Sequence, residues 1–139
     1  MARTAETLEQ LEGEVWGEPT YDSYLVQTIH ALRRKPVREF TVEDLRITIG
    51  QGLGLKYLTP FALSHLEAEP FSEGHFYPGD LLASVLSIPR EFWLAHPGEA
   101  RRVAAVARQV ELLLDAQGTT DEIKSHLRAL INEAPWRAA

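Results

Sequence analysis

Apolar residues return at helical spacing along most of the chain. Leu25, Val26, Ile29 and Leu32 form a first stripe, with Asp22 placed to cap it and Arg33-Arg34-Lys35 closing it before Pro36. Cations at that end oppose the negative pole of a helix dipole, which accounts for the basic triplet without any nucleic acid. Thr41-Val42-Glu43-Asp44 reads as the capped start of a second helix carrying Leu45, Ile47 and Ile49, although their alternation also permits a short strand. Gly50-Gln51-Gly52-Leu53-Gly54 ends it. A third stripe, Leu55, Leu58, Phe61, Ala62, Leu63 and Leu66, runs to Pro70, with Pro60 either in a first turn after Thr59 or kinking the helix.

Pro78, Gly79 and Asp80 introduce the stripe Leu81, Leu82, Val85 and Leu86, and Ser87-Ile88-Pro89 restarts the chain on a short turn carrying Phe92 and Trp93. After Pro97, Val103, Val106, Val110, Leu113 and Leu114 predict a long helix that Gly118 stops. Thr119 with Glu122 reads as a capping box for a last helix carrying Ile123, Leu127, Leu130 and Ile131, up to Pro135. The short link between these two predicts antiparallel neighbours. The pattern therefore implies a mostly α, compact single-domain helical bundle over residues 1–139, of about six to eight helices with any sheet minor.

Composition narrows the chemistry. With 14 basic and 20 acidic residues the net charge is −6, which disfavours a phosphate-binding surface and suits a basic partner. The absence of cysteine excludes disulfides, thiolate metal sites and thiol nucleophiles. The start Met1-Ala2-Arg3-Thr4-Ala5-Glu6 lacks the apolar stretch of a secretory signal and no run is long enough to span a membrane, so a cytoplasmic protein is expected. No Gly-x-Ser-x-Gly elbow occurs, the glycine run after Ile49 lacks the Gly-Lys-Ser/Thr ending of a phosphate loop, and no His-Glu-x-x-His pair is present. No cofactor or metal is implied. His30 and His126, on largely apolar helices, read as surface or core-edge residues.

Charge placement says more. Acids cluster without bases at Glu6, Glu9, Glu12, Glu14, Glu18 and Asp22, and again at Glu67, Glu69, Glu73 and Asp80, with Trp16 inside the first group and Phe76 and Tyr77 inside the second. Such clusters are often solvated faces, and the aromatics could pack inward, Tyr77 least readily because its hydroxyl prefers a polar partner. The mixture also suits an interface aimed at a basic cleft, where aromatics anchor and carboxylates steer. The candidate contacts are Glu12, Glu14, Trp16, Glu67, Glu69, Glu73, Phe76 and Tyr77. Gly50, Gly52, Pro78, Gly79 and Asp80 read as structural, Gly79 permitting a tight turn and Asp80 capping the helix that follows.

Four separated segments, Leu8–Gly17, Thr28–Val37, Glu43–Gly52 and Gly74–Leu82, together resemble the immunity proteins of bacterial contact-dependent growth inhibition systems. The resemblance spans roughly the first two thirds of the chain, to about Trp93, and the last two helices carry no matching motif. His75 departs from the family pattern, which more often has an acidic residue before Phe-Tyr-Pro-Gly-Asp. The resemblance implies a small cytoplasmic protein without catalytic activity that binds the toxin domain delivered by a neighbouring cell, in many systems a nuclease, and covers its active site or a nearby surface. Its partner would be the cognate toxin's C-terminal domain, with no nucleic acid or membrane, and the chain itself a monomer or weak homodimer. The alternative from another class is a small metal-dependent hydrolase using His65, Glu69, His75 and Asp80; a third is a helical adaptor dimerising through the segment from Ala100 to Ala134.

Overall fold

In the computed structural model, which describes residues 6–17 and 23–138, eight α-helices follow one another: α1 (Leu8–Glu12), α2 (Tyr24–Leu32), α3 (Val42–Gly50), α4 (Leu55–Ala68), α5 (Asp80–Leu86), α6 (Arg90–Ala95), α7 (Pro97–Leu113) and α8 (Asp121–Glu133). Short 3-10 turns lie at Val37–Glu39, Leu114–Ala116 and Pro135–Ala138 among the described residues. No strand occurs among the described residues, and the only β-pairing there is the isolated bridges Thr7–Pro36 and Glu73–Pro78. The alternation in α3 is thus resolved as helix, because Thr41 and Asp44 form a reciprocal capping box that commits the first turn.

Helix α4 is central, packing against α3, α5 and α7, and it buries Leu58, Ala62, Leu63 and Leu66 completely. It begins at Leu55, after Gly54, so Pro60 lies inside the helix rather than in its first turn. Leu8 anchors the N-terminal segment in the core beside Gly54, and the Tyr57 hydroxyl donates to the Leu11 carbonyl at 3.1 Å. Trp93 is wholly buried on α6, with its indole N–H bonded to the Ile88 carbonyl at 3.1 Å.

Several local expectations are corrected. Ser23 caps α2, whereas Asp22 lies outside the described residues, as do Glu18 and the segment 1–5. Leu25 faces outward, so the inner stripe of α2 is Ile29 and Leu32. On α8 the cap is Thr120, which accepts from the Ile123 amide at 3.2 Å, and not Thr119. Leu113 is exposed, since the buried stripe of α7 runs from Val103, Val106 and Val110 to Leu114. The last helix packs chiefly on α5 instead of lying along α7 as the short link suggested. Its Leu127 sits over Gly79, where a Cβ would come within 3.0 Å of the leucine methyl.

Candidate functional site

The loop joining α4 to α5 is organised by one carboxylate. Asp80, only 3% exposed, accepts from the amides of Gly74 at 2.7 Å, Phe76 at 3.0 Å and Tyr77 at 3.4 Å. The expectation that Asp80 caps α5 is therefore corrected: it is the helix's first residue and reaches backwards, while Gly79, at φ 97°, makes the entry turn. A second carboxylate closes the loop from another element, because Glu43 on α3 accepts from the His75 amide at 2.8 Å. Gly74 is required by this convergence, since any Cβ would collide with Glu43 Oε1 and lie 3.1 Å from Asp80.

Arg46, one helical turn beyond Glu43, neutralises the arrangement. Its guanidinium donates in fork geometry to Glu43 at 2.7 and 2.5 Å, and its Nε lies 3.8 Å from Asp80. That hydrogen bonding holds the Glu43 carboxyl below its ordinary 4.5, against the opposing effect of burial, and raises Arg46 in return. The guanidinium also lies 4.4 Å from the centre of the Phe76 ring. Phe76 is thereby fixed on a short, tied loop while remaining 68% exposed. Tyr77 turns further in, contrary to the expected order of the aromatics, and burial pushes its hydroxyl above the ordinary 10.0.

A second station repeats this construction. Arg33, at the end of α2 and 2% exposed, donates to the Glu12 carboxylate and, at 2.7 Å, to the Glu14 carbonyl. Its guanidinium lies 4.3 Å from the Trp16 ring centre, and His30 meets the same indole edge-on at 5.3 Å. The basic triplet therefore does more than complement a dipole. Arg34 pairs with Glu9 at 3.5 Å, and Lys35 with Asp44 at 2.7 Å.

The two stations lie on one surface. A hollow of about 230 Å³ beside the loop is lined by Arg46, Gly50, Phe76, Tyr77, Asp80 and Ser84. An adjoining one of about 360 Å³ shares Arg46, Gly50 and Phe76 and adds Tyr24, Leu25 and Gln51. A third, about 190 Å³, shares Leu25 and Gln51 and reaches Trp16 and His30. Sequence reasoning missed Tyr24 and Leu25, whose exposure emerges only once the helix face is fixed, and the bracing roles of Arg33 and Arg46.

The other predicted contacts are dispersed. Glu14 and Glu73 are exposed, and Glu12 is taken up by Arg33. Glu67 binds Arg102 of α7 through paired 2.8 Å bonds that lower its pKa, and Glu69 accepts from the Phe71 amide at 3.1 Å. Of the structural set, Gly50 ends α3, Gly52 follows it with φ 74°, and Pro78 bridges to Glu73 across the loop. The hydrolase set His65, Glu69, His75 and Asp80 is not assembled: among the described residues no group of three or more His, Cys, Asp or Glu is placed to hold a metal ion. No helix of the described residues is long and apolar enough to cross a membrane.

The helical scaffold thus carries two aromatic side chains, Trp16 and Phe76, each braced by an arginine and each reaching solvent. A sequence model described as CDI immunity proteins, the contact-dependent growth inhibition class, matches residues 10–103, more than half of the 139-residue chain. The chain belongs to that family. The match takes in both aromatic stations and ends within α7, so α8 lies beyond it. A comparison with curated proteins finds no significant match.

Proposed function

We propose that this chain acts in the cytoplasm by binding the C-terminal domain of its cognate toxin, a nuclease, and occluding the active site or a surface beside it, without performing a reaction of its own. The observation that carries the reading is the family match together with the loop it contains, in which buried Asp80 and Glu43 hold Phe76 rigidly in solvent. Ordering such a loop before encounter reduces the entropic cost of association, as tight neutralisation requires. The net charge of −6 supports a basic target, because a nuclease cleft attracts phosphate and so attracts carboxylates as well. In this reading Trp16, Phe76 and Tyr77 supply contact area, and Glu12, Glu14, Glu69 and Glu73 contribute to steering, whereas Glu67 is taken up by Arg102.

Coexpression with the toxin domain encoded by the adjoining gene tests this. Growth rescue accompanied by a complex that survives gel filtration is the expected result. Toxicity undiminished by the chain, with no complex recovered, would refute it.

A further inference from the structure

Resting on the immunity reading, we infer that the toxin docks on the face bounded by Trp16 and Phe76, and that the docked segment presents apolar side chains flanked by lysine or arginine. Phe76 and Tyr24 are 68% and 74% exposed, and with Trp16 and Leu25 they line three hollows that pass into one another through shared residues. Exposed aromatics lining adjoining hollows at this density mark an interaction surface rather than scattered surface residues.

Each anchor is braced from within. A guanidinium lies 4.3 Å from Trp16 and 4.4 Å from Phe76, and each guanidinium is itself held by a carboxylate, Glu12 for Arg33 and Glu43 for Arg46. Both rings are thus ordered before a partner arrives, which is the condition for a strong contribution from a few residues.

Charge selects the partner. Near Phe76 the acids Glu43 and Asp80 outnumber Arg46; near Trp16, Arg33 is paired with Glu12 and Arg34 with Glu9, while Glu14, which meets Arg33 only through its backbone carbonyl, adds an exposed carboxylate to that segment. His75 and His30 add cationic character only when protonated. An apolar segment with a basic residue towards each end matches this distribution, whereas a second copy of this acidic chain would set like charges against each other. Glu67 plays no part in this docking face, being locked to Arg102 between α4 and α7.

Calorimetry with the purified toxin domain tests the placement. Trp16→Ala, Tyr24→Ala and Phe76→Ala are each expected to weaken binding by about tenfold or more, with Glu67→Ala within about twofold of wild type. Glu14→Lys should slow association without altering the melting temperature. Wild-type affinity in all three aromatic variants would overturn the placement while leaving the immunity reading intact. A self-dimer dissolved by Phe76→Ala, with toxin affinity unchanged, would overturn it too. Failure of the wild-type chain to bind or protect would instead remove the immunity reading and this inference with it.

Discussion

The loop before α5 and the helices α7 and α8 are held by different forces. Helix α7 is fixed by apolar burial, with Val103, Val106 and Val110 inside, and α8 by Leu127 and Ile131. The loop buries Phe71 but leaves Phe76 exposed, and the part that carries Phe76 is held by amides converging on Asp80 and Glu43. Apolar packing keeps hydrophobic area from a partner, whereas internal polar bonding frees it for one. The comparison explains how Phe76 can be held in place while staying outside the core.

The largest expected effect comes from where the two regions meet. Leu127→Ala, under which Gly79 loses its cover, should destabilise the fold by about 2–5 kcal/mol in urea titrations. Asp80→Ala should cost about 2–3 kcal/mol by stranding the amides of Gly74, Phe76 and Tyr77, and amide hydrogen exchange should rise there well before α7 responds. Equal acceleration in both regions would break the distinction.

Glu43→Gln should cost about 1–2 kcal/mol at neutral pH, because it weakens a charge-assisted bond to Arg46. Its pH dependence sharpens the point. With the folded carboxyl lowered from 4.5, the ionised group's contribution is full above that value and fades as pH falls through the depressed one. The gap in stability between wild type and Glu43→Gln should therefore close on acidification below about pH 4.5. A gap that widened with acid would contradict the assignment. The smallest effect belongs to Glu67→Ala: its pair with Arg102 is largely solvated, and a change under about 1 kcal/mol is expected in the same titration.

Regular packing was legible in the chain, and polar convergence was not. Periodicity located α2, α3, α4, α5, α7 and α8 but did not mark α1 and took α6 for a short turn, and Thr41 with Asp44 gave a correct start for α3, since a capping box is a local signal spanning only one turn. The same reasoning chose Thr119 over Thr120, where two adjacent hydroxyls compete for one role and only the backbone decides between them. Pairing of α7 with α8 was inferred from a short link, but the 3-10 turn at Leu114–Ala116 redirects the chain and sends Leu127 towards Gly79. The segment from Glu73 to Asp80 stood out by composition, yet the source of its order did not. Glu43 lies 32 residues from the amide it receives, and no local pattern encodes a bond of that span.

The same limit applied to the surface. Trp16 and Phe76 were picked out as aromatics among acids, but the arginines beside them come from α2 and α3 and become visible only when those helices pack. Acidic clustering alone did not reveal that Glu12 and Glu67 pair within the chain, with Arg33 and Arg102.

The central claim is neutralisation by stoichiometric occlusion through a preformed aromatic face. The direct measurement is nucleic-acid cleavage by the toxin domain, titrated with this chain at concentrations well above the dissociation constant. Activity is predicted to fall linearly and vanish at one equivalent, with the Trp16→Ala, Phe76→Ala double variant requiring a large excess. Loss of activity at a small fraction of an equivalent, or a double variant that titrates like wild type, would contradict the account.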